Sequence, residues 1–141
     1  MFTFVHHVAV VVPNIDQAID LFQNTFHLKL LRRETIAASN MELAVLAAGA
    51  THVEVMQPIK PEGNLQAFLD KHGPGIQHVS FAVHGLDAEA PGLLAKGLKF
   101  SQGEKATVTT VGWKNLSVKA ESAHGISGLE MTEPALDKWP T

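Results

Sequence analysis

Two histidines and two glutamates occur at matching places in the two halves of this 141-residue chain. His7 opens the apolar run "HVAVVV" and His78 opens "HVSFAV", while Glu54 lies in "VEVMQP" and Glu130 in "LEMTEP". Neutral imidazoles and carboxylates together suit a divalent first-row metal such as Co²⁺, Ni²⁺, Mn²⁺ or Zn²⁺. Four such ligands leave two positions of an octahedral ion open, so the ion can polarise a carbonyl oxygen and stabilise an enolate.

Glu42, in "MELAVLA", adds a carboxylate that is present in the first half only. If the hairpin that follows it is centred near Ala48, Glu42 and Glu54 lie opposite each other on one sheet face, about 5 Å apart. Glu42 is then either a general base beside the metal or an exposed strand residue. Geometry predicted from the sequence favours neither of these two interpretations.

Hydrophobic periodicity predicts the elements that carry these residues. Runs of β-branched and apolar residues predict strands, and apolar residues at helical spacing between Asn, Pro and Gly signals predict helices. Strands are predicted over 4–12, 28–36, 41–47, 52–58, 78–83, 114–119 and 127–132, and helices from Ile15 onward and over 64–73 and 86–97. Each half therefore has its His on the first strand and its Glu on the last.

The repeated order of elements predicts an α+β fold built from two tandem βαββ(β) modules. Packed about a pseudo-two-fold axis, two such sheets form a half-open mixed β-barrel with the helices outside. We expect one domain over 1–141, with module 1 at about 4–60, a linker helix at about 61–74 and module 2 at about 75–134. The two-fold relation would bring His7, Glu54, His78 and Glu130 to one point.

Composition narrows the classes of function. The net charge of −3 and the scattered Lys and Arg residues argue against a nucleic-acid partner, which needs a basic face. The chain has no cysteine, so thiolate metal sites and disulfides are excluded. No apolar run approaches the roughly 20 residues that span a bilayer, and the N-terminus lacks signal-peptide features. These features predict a soluble, cytoplasmic protein with no membrane partner.

The chain resembles the vicinal oxygen chelate superfamily, which includes glyoxalase I, extradiol dioxygenases and resistance proteins against bleomycin or fosfomycin. The His-hydrophobic strand that opens each half and the Glu on each last strand carry the resemblance, which covers about residues 4–133. Within the superfamily, "THVEVMQPIKPEGNLQAFLDKHGPGIQHVSFAV" (51–83) is most similar to methylmalonyl-CoA epimerases. In that branch a metal-ligand strand, a short helix and a Gly-rich turn precede the second metal histidine.

The resemblance implies a function and a site. The metal ligands fall on His7, Glu54, His78 and Glu130, with Co²⁺ as the first choice of ion. The proton-transferring glutamate falls on Glu42, and Glu130 or a metal-linked water returns a proton from the other face. The implied reaction is abstraction of the α-proton of an acyl-CoA-type thioester through a metal-stabilised enolate. The implied assembly is a homodimer.

Two segments depart from the epimerase pattern, which leaves open a different acid or ester enolised by the same machinery, and two other classes of protein are alternatives. "TVTTVGWKN" has one Gly where a Gly-rich loop is usual, and "AESA" (120–123) replaces a His-Pro-Lys-Ser segment. The first alternative is a lactoylglutathione lyase of the glyoxalase I type, which uses the same ligand set and which "FHLKLLRRE" also resembles. The second is a metal-free binding protein of the resistance type. A dioxygenase is disfavoured because its iron takes two His and one carboxylate.

Overall fold

The computed structural model describes residues 2–135, which form two compact units. The N-terminal unit comprises residues 7–77, and the C-terminal unit comprises residues 2–6 together with the chain from His78 onward. Strand β1, Phe2–Val11, contributes to both units, since the division falls between His6 and His7. Among residues 2–135, no helix is long and apolar enough to cross a membrane.

The N-terminal unit contains a four-stranded mixed sheet in the order β2-β3-β4-β1. Strands β2, β3 and β4 are antiparallel neighbours, whereas β1 runs parallel to β4. After β1 come α1 (Ile15–Asp20, continued by a π-helical turn, Leu21–Thr25), β2 (Lys29–Ile36), a 3-10 turn (Ala37–Ser39), β3 (Met41–Ala48), β4 (Thr51–Pro58) and α2 (Gly63–His72). Helix α1 begins where the Asn14 side chain accepts a hydrogen bond from the backbone N–H of Gln17.

The C-terminal unit repeats this topology, with strands in the order β5-β8-β7-β6. Its first strand, β5, is parallel to β8, and β8, β7 and β6 are antiparallel neighbours. The elements are β5 (Gly75–Val83, of which the part from His78 belongs to this unit), α3 (Leu86–Ala95), β6 (Thr107–Val108), β7 (Lys114–Ser117), a 3-10 turn (Ala120–Ser122) and β8 (Leu129–Glu133). The predicted duplication of a β-α-β-β-β module is therefore confirmed within each unit.

The sheet of the N-terminal unit has an apolar layer on each face. One face packs against α1, and we call it the α1 face; its buried residues are Ile15, Ile19, Ala44, Leu46 and Val55. The other face packs against Leu65, Phe68 and Leu69 of α2, and we call it the α2 face; its buried residues are Ala9, Val11, Leu43, Val45 and Met56. Burying a Val, Leu, Ile or Met side chain stabilises the fold by about 1.5–3 kcal/mol, so the two layers fix which way the strand residues face.

In the C-terminal unit, helix α3 packs on one face of the sheet. Its core consists of Val83, Leu86, Ala90, Leu93, Phe100, Leu116 and Met131. The opposite face of β5, β8 and β7 carries polar side chains, among them Ser80 and Thr132, which are both fully buried. A polar cluster buried this deeply requires internal hydrogen bonds.

Candidate metal centre

His7 and Glu54 form a pair within the N-terminal unit. Strand β1 lies parallel to β4 with His7 beside His52 and Ala9 beside Glu54, so both side chains lie on the α2 face. His7 Nε2 is 3.6 Å from Glu54 Oε2, and the two side chains are 1% and 12% exposed. The sequence thus places an imidazole and a carboxylate at one buried point.

His78 and Glu130 form the equivalent pair within the C-terminal unit. Strand β5 lies parallel to β8 with Ser80 beside Glu130, and His78 shares a face with Ser80. His78 Nε2 is 3.7 Å from Glu130 Oε1, with 16% and 12% of the side chains exposed. Each unit therefore holds one His–Glu pair in nearly the same geometry.

The geometry of both pairs fits a cation better than it fits a direct hydrogen bond. A separation of 3.6–3.7 Å is too long for a hydrogen bond between nitrogen and oxygen. Two ligand atoms that each lie about 2.0–2.2 Å from one ion are themselves about 3–4 Å apart. The donor set of imidazole nitrogens and carboxylate oxygens is also that of divalent first-row metals. The residues in each unit are thus suited to a metal ion.

The predicted register between Glu42 and Glu54 is wrong. The turn between β3 and β4 lies at Gly49 and Ala50 rather than at Ala48, so Glu42 pairs with Gln57, and Val45 is the partner of Glu54. Glu42 and Val45 are three residues apart on a regular strand and therefore face opposite sides of the sheet. Glu42 consequently lies on the α1 face, away from His7 and Glu54.

The contacts of Glu42 confirm this placement. Gln57, its cross-strand partner, accepts a hydrogen bond at 2.8 Å from the backbone N–H of Ile15, the first residue of α1. The Glu42 carboxylate accepts a hydrogen bond from the Thr35 hydroxyl and lies 3.8 Å from Arg33 Nε. The pairing of Glu42 with Glu54 is therefore corrected, and the sheet geometry gives no support to the prediction that Glu42 is the base.

Other ionisable residues do lie on the α2 face. His52 is on this face beside His7, and its pKa is lowered by burial and, to a smaller extent, by electrostatic interactions with His7 and Arg32. Arg32 is the partner of Val45 and also lies on this face, where Arg32 Nη1 donates a hydrogen bond at 2.8 Å to Glu34 Oε2. A bulge between Leu30 and Arg32 determines this orientation, and the sequence gives no signal for that bulge.

Sequence reasoning missed the polar residues around Glu130. Ser117 is the cross-strand partner of Glu130 on β7 and donates a hydrogen bond at 3.2 Å to Oε2. Thr132, two residues further along β8, lies 3.4 Å from Oε1. The position of Thr132 two residues after Glu130 could have indicated a shared face, but the pairing of Ser117 depends on a long-range register.

Comparisons with known proteins agree with this fold. Residues 6–115 match the family described as the Glyoxalase/Bleomycin resistance protein/Dioxygenase superfamily. The uncharacterized protein YqjC of Bacillus subtilis (strain 168) is 26% identical over 87 residues, which is 62% of each chain. A mitochondrial methylmalonyl-CoA epimerase of Dictyostelium discoideum is 23% identical over 95 residues, 67% of this chain and 57% of the other. The chain thus spans less than two thirds of the length of these curated relatives.

Among solved structures, the methylmalonyl-CoA epimerase of Mycobacterium tuberculosis superimposes with a TM-score of 0.87. The match covers 96% of this chain and 91% of the other, at 28% identity. The predicted α+β fold class and its glyoxalase-like character are confirmed by this likeness.

Proposed function

Because the chain belongs to the glyoxalase/bleomycin resistance protein/dioxygenase superfamily, we propose that it is a metal-dependent isomerase of the epimerase type. Its reaction would be abstraction of the α-proton of an acyl-CoA-type thioester, with methylmalonyl-CoA as the first candidate. The observation that carries the proposal is the duplicated pair, in which each unit holds a His and a Glu 3.6–3.7 Å apart and largely buried. The likeness to methylmalonyl-CoA epimerases supports the choice of substrate.

The proposed metal ligands are His7, Glu54, His78 and Glu130. His7 and Glu54 belong to the N-terminal unit, and His78 and Glu130 belong to the C-terminal unit, so each unit contributes one pair to the proposed ligand set. A divalent cation, with Co²⁺ preferred and Ni²⁺, Mn²⁺ or Zn²⁺ as alternatives, supplies positive charge that stabilises an oxyanion at the substrate carbonyl. Within each unit, the proposed ligands lie on neighbouring strands of a packed sheet, which supports preorganisation of each pair.

Glu130 is the residue that we propose for proton transfer. Its carboxylate is 12% exposed, so a substrate can reach it, and its strand is held between β5 and β7. Glu42 lies on the α1 face and takes no part in this proposal. A carboxylate that both contacts the cation and accepts a proton needs a fixed orientation, because proton transfer requires heavy atoms about 2.6–3.2 Å apart.

A second candidate is a lactoylglutathione lyase of the glyoxalase I type. The orientation of Glu42 favours this candidate, because inversion of a stereocentre needs acid–base groups on both sides of the carbon. Without Glu42, the epimerase would need a metal-linked water as the second group beside Glu130. Because Glu42 faces away from the proposed site, Glu130 is the side chain that remains for proton transfer. A proton shift between adjacent carbons of one substrate can proceed with a single such group.

We further infer three properties that the composition and the family suggest. The protein acts on a small molecule, most simply an acyl-CoA thioester, and has no nucleic-acid or membrane partner. It forms a homodimer, and it works in the cytoplasm. Sedimentation velocity measures the assembly state directly, and a monomer at micromolar concentration would contradict the dimer.

Proton NMR in deuterated water tests the proposed function. Cobalt-loaded protein should remove the α-proton signal of methylmalonyl-CoA by exchange with solvent, and protein treated with a chelator should not. Glu54→Ala serves as the matched control, since it removes a ligand and keeps Glu130. If the protein exchanges the proton of a glutathione hemithioacetal with solvent, but not that of the thioester, the result would support the lyase. Absence of exchange with both substrates, while cobalt is bound, would contradict both candidates.

A further inference from the structure

The two His–Glu pairs differ in the residues that surround the glutamate. The neighbours of Glu54 across the sheet are Ala9 on β1 and Val45 on β3, and Met56 follows two residues along the same strand. All three are apolar, and all three are buried.

Around Glu130 the corresponding positions carry hydroxyl groups. Its neighbours across the sheet are Ser80 on β5 and Ser117 on β7, and Thr132 follows two residues along β8. The module thus forms the same strand pairings whether the three neighbours of its glutamate are apolar (the apolar set, around Glu54) or carry hydroxyl groups (the hydroxyl set, around Glu130). The hydroxyl set is therefore not required by the fold, and burying it costs free energy unless each group is hydrogen-bonded.

The hydroxyl nearest to Glu130 is held in place by Gln102. Gln102 Nε2 donates to Ser117 Oγ at 3.2 Å, and the Ser117 backbone N–H donates to Gln102 Oε1 at 2.9 Å. A serine hydroxyl has one hydrogen, and because Gln102 occupies a lone pair, that hydrogen is available for Glu130 Oε2 at 3.2 Å. Gln102 thus fixes the direction in which Ser117 donates.

Thr132 supports the other carboxylate oxygen less strongly. Its hydroxyl has a single hydrogen and three possible acceptors, which are Asn115 Oδ1 at 3.0 Å, Glu130 Oε1 at 3.4 Å and the Ser80 hydroxyl. Ser80 Oγ lies 2.7 Å from the same hydroxyl, and both groups are fully buried. Asn115 and Ser80 both lie closer to the Thr132 hydroxyl than Glu130 does, so Ser117 is the main hydrogen-bond donor to Glu130 in this network.

We propose that Ser117, held by Gln102, is a positioning residue that orients the Glu130 carboxylate for cation binding and proton transfer. This inference rests on the proposed function, because it assigns Ser117 a role only through Glu130. Hydrogen-bond partners of metal ligands typically affect metal affinity by about 10- to 100-fold, although they never contact the ion.

Cobalt affinity, measured by competition with a chromogenic chelator, tests the role of Ser117. Ser117→Ala should weaken Co²⁺ binding by about 10- to 100-fold and alter the d–d absorption spectrum at saturating Co²⁺. Ser117→Thr keeps the hydroxyl and should bind Co²⁺ nearly as wild type does. Gln102→Ala leaves the hydroxyl but removes its support, so an intermediate loss is expected. Gln102 lies in a half-buried turn, so this variant tests the proposal even if Ser117→Ala does not fold.

Ser122→Ala is the matched control, because within residues 2–135 the Ser122 hydroxyl bonds only to the backbone of Lys99 and Lys119. It should leave cobalt affinity unchanged. If wild type binds cobalt and Ser117→Ala and Gln102→Ala bind it equally well, the positioning role is overturned while the metal site stands. If wild type itself binds no cobalt, the proposed function fails, and the role of Ser117 fails with it.

Discussion

At the scale of single residues, proposed metal binding depends on the side chains of the ligands, whereas folding depends on the backbone of the same strands and on their apolar neighbours. Glu54 and His78 are partly exposed side chains whose backbones lie in sheets held by apolar layers. We therefore expect Glu54→Ala or His78→Ala to lower Co²⁺ affinity by at least about 100-fold, since each removes a ligand outright. The far-UV circular dichroism should remain that of wild type. Isothermal titration with Co²⁺ measures the loss, and wild-type affinity in both variants would contradict the ligand set.

Glu42→Gln provides a contrast on the opposite face of the same hairpin. Because Glu42 lies on the α1 face, we expect this variant to bind Co²⁺ and to exchange the substrate α-proton at close to the wild-type rate. Its free energy of unfolding should fall by no more than about 1 kcal/mol, because the lost ion pair with Arg33 is partly exposed. Deuterium exchange followed by NMR measures the rate. A loss of exchange above 100-fold would restore Glu42 as the base.

At the scale of elements, the hairpin of β3 and β4 shows how a small error in a turn moves a side chain to the other face. The sequence "AGAT" correctly predicts a turn, but the position of its centre decides which residues pair. Glu42 pairs with Gln57 because the chain reverses at Gly49 and Ala50, where Gly49 has the left-handed φ of 65°. An odd shift in register exchanges the two faces of a strand, and local periodicity does not determine that shift.

The connection between β4 and α2 depends on a single residue, Asn40. Asn40 has a left-handed backbone with φ of 51°, and its side chain makes three hydrogen bonds of 2.8–3.1 Å to the backbone of Lys60 and Glu62. Asn40→Gly keeps this conformation and should lower the free energy of unfolding by about 1–3 kcal/mol through the lost bonds. Asn40→Ala should cost about 1 kcal/mol more, because alanine disfavours positive φ. Urea unfolding measures both, and equal costs would show that the backbone conformation carries no penalty.

The pair of Lys114 on β7 and Asp87 in the first turn of α3 should respond to alkaline pH. The hydrogen bond of 2.6 Å to Asp87 raises the pKa of Lys114 above its usual 10.5. A raised pKa means that the pair stabilises the fold fully below about pH 10.5 and that this contribution is lost as pH rises through the folded-state value. The stability difference between wild type and Asp87→Asn should therefore shrink above that pH. In a Lys114→Gln background, the stability cost of Asp87→Asn should no longer depend on alkaline pH. If the cost of Asp87→Asn in the wild-type background also stays constant with pH, Asp87 acts through the dipole of α3 and not through Lys114.

At the scale of the whole molecule, duplication made much of the fold predictable. The two similar segments that begin at His7 and His78 predicted the order of elements along each module. The order of the strands within each sheet and the parallel pairing of the first and last strands were seen only in the structure. The hydroxyl set around Glu130 could not be predicted in the same way, because the first copy has Ala9 and Val45 where the second has Ser80 and Ser117. Strand β6 was also missed, since two residues are too few to show a periodicity.

Metal binding should also stabilise the fold, because the His and Glu of each proposed pair come from distant parts of the chain and meet only when their unit folds. A ligand at about 100 times its Kd stabilises the native state by about 2.7 kcal/mol. For a protein of this length, that free energy raises the Tm by about 5–15 °C. Differential scanning fluorimetry with excess Co²⁺ should show this rise, and a chelator should reverse it. Glu54→Ala should show little change in Tm on adding Co²⁺, because it has lost a ligand while its sheet is intact. An equal rise in Glu54→Ala would mean that cobalt stabilises the fold from another site, and the proposed centre would then have to be abandoned.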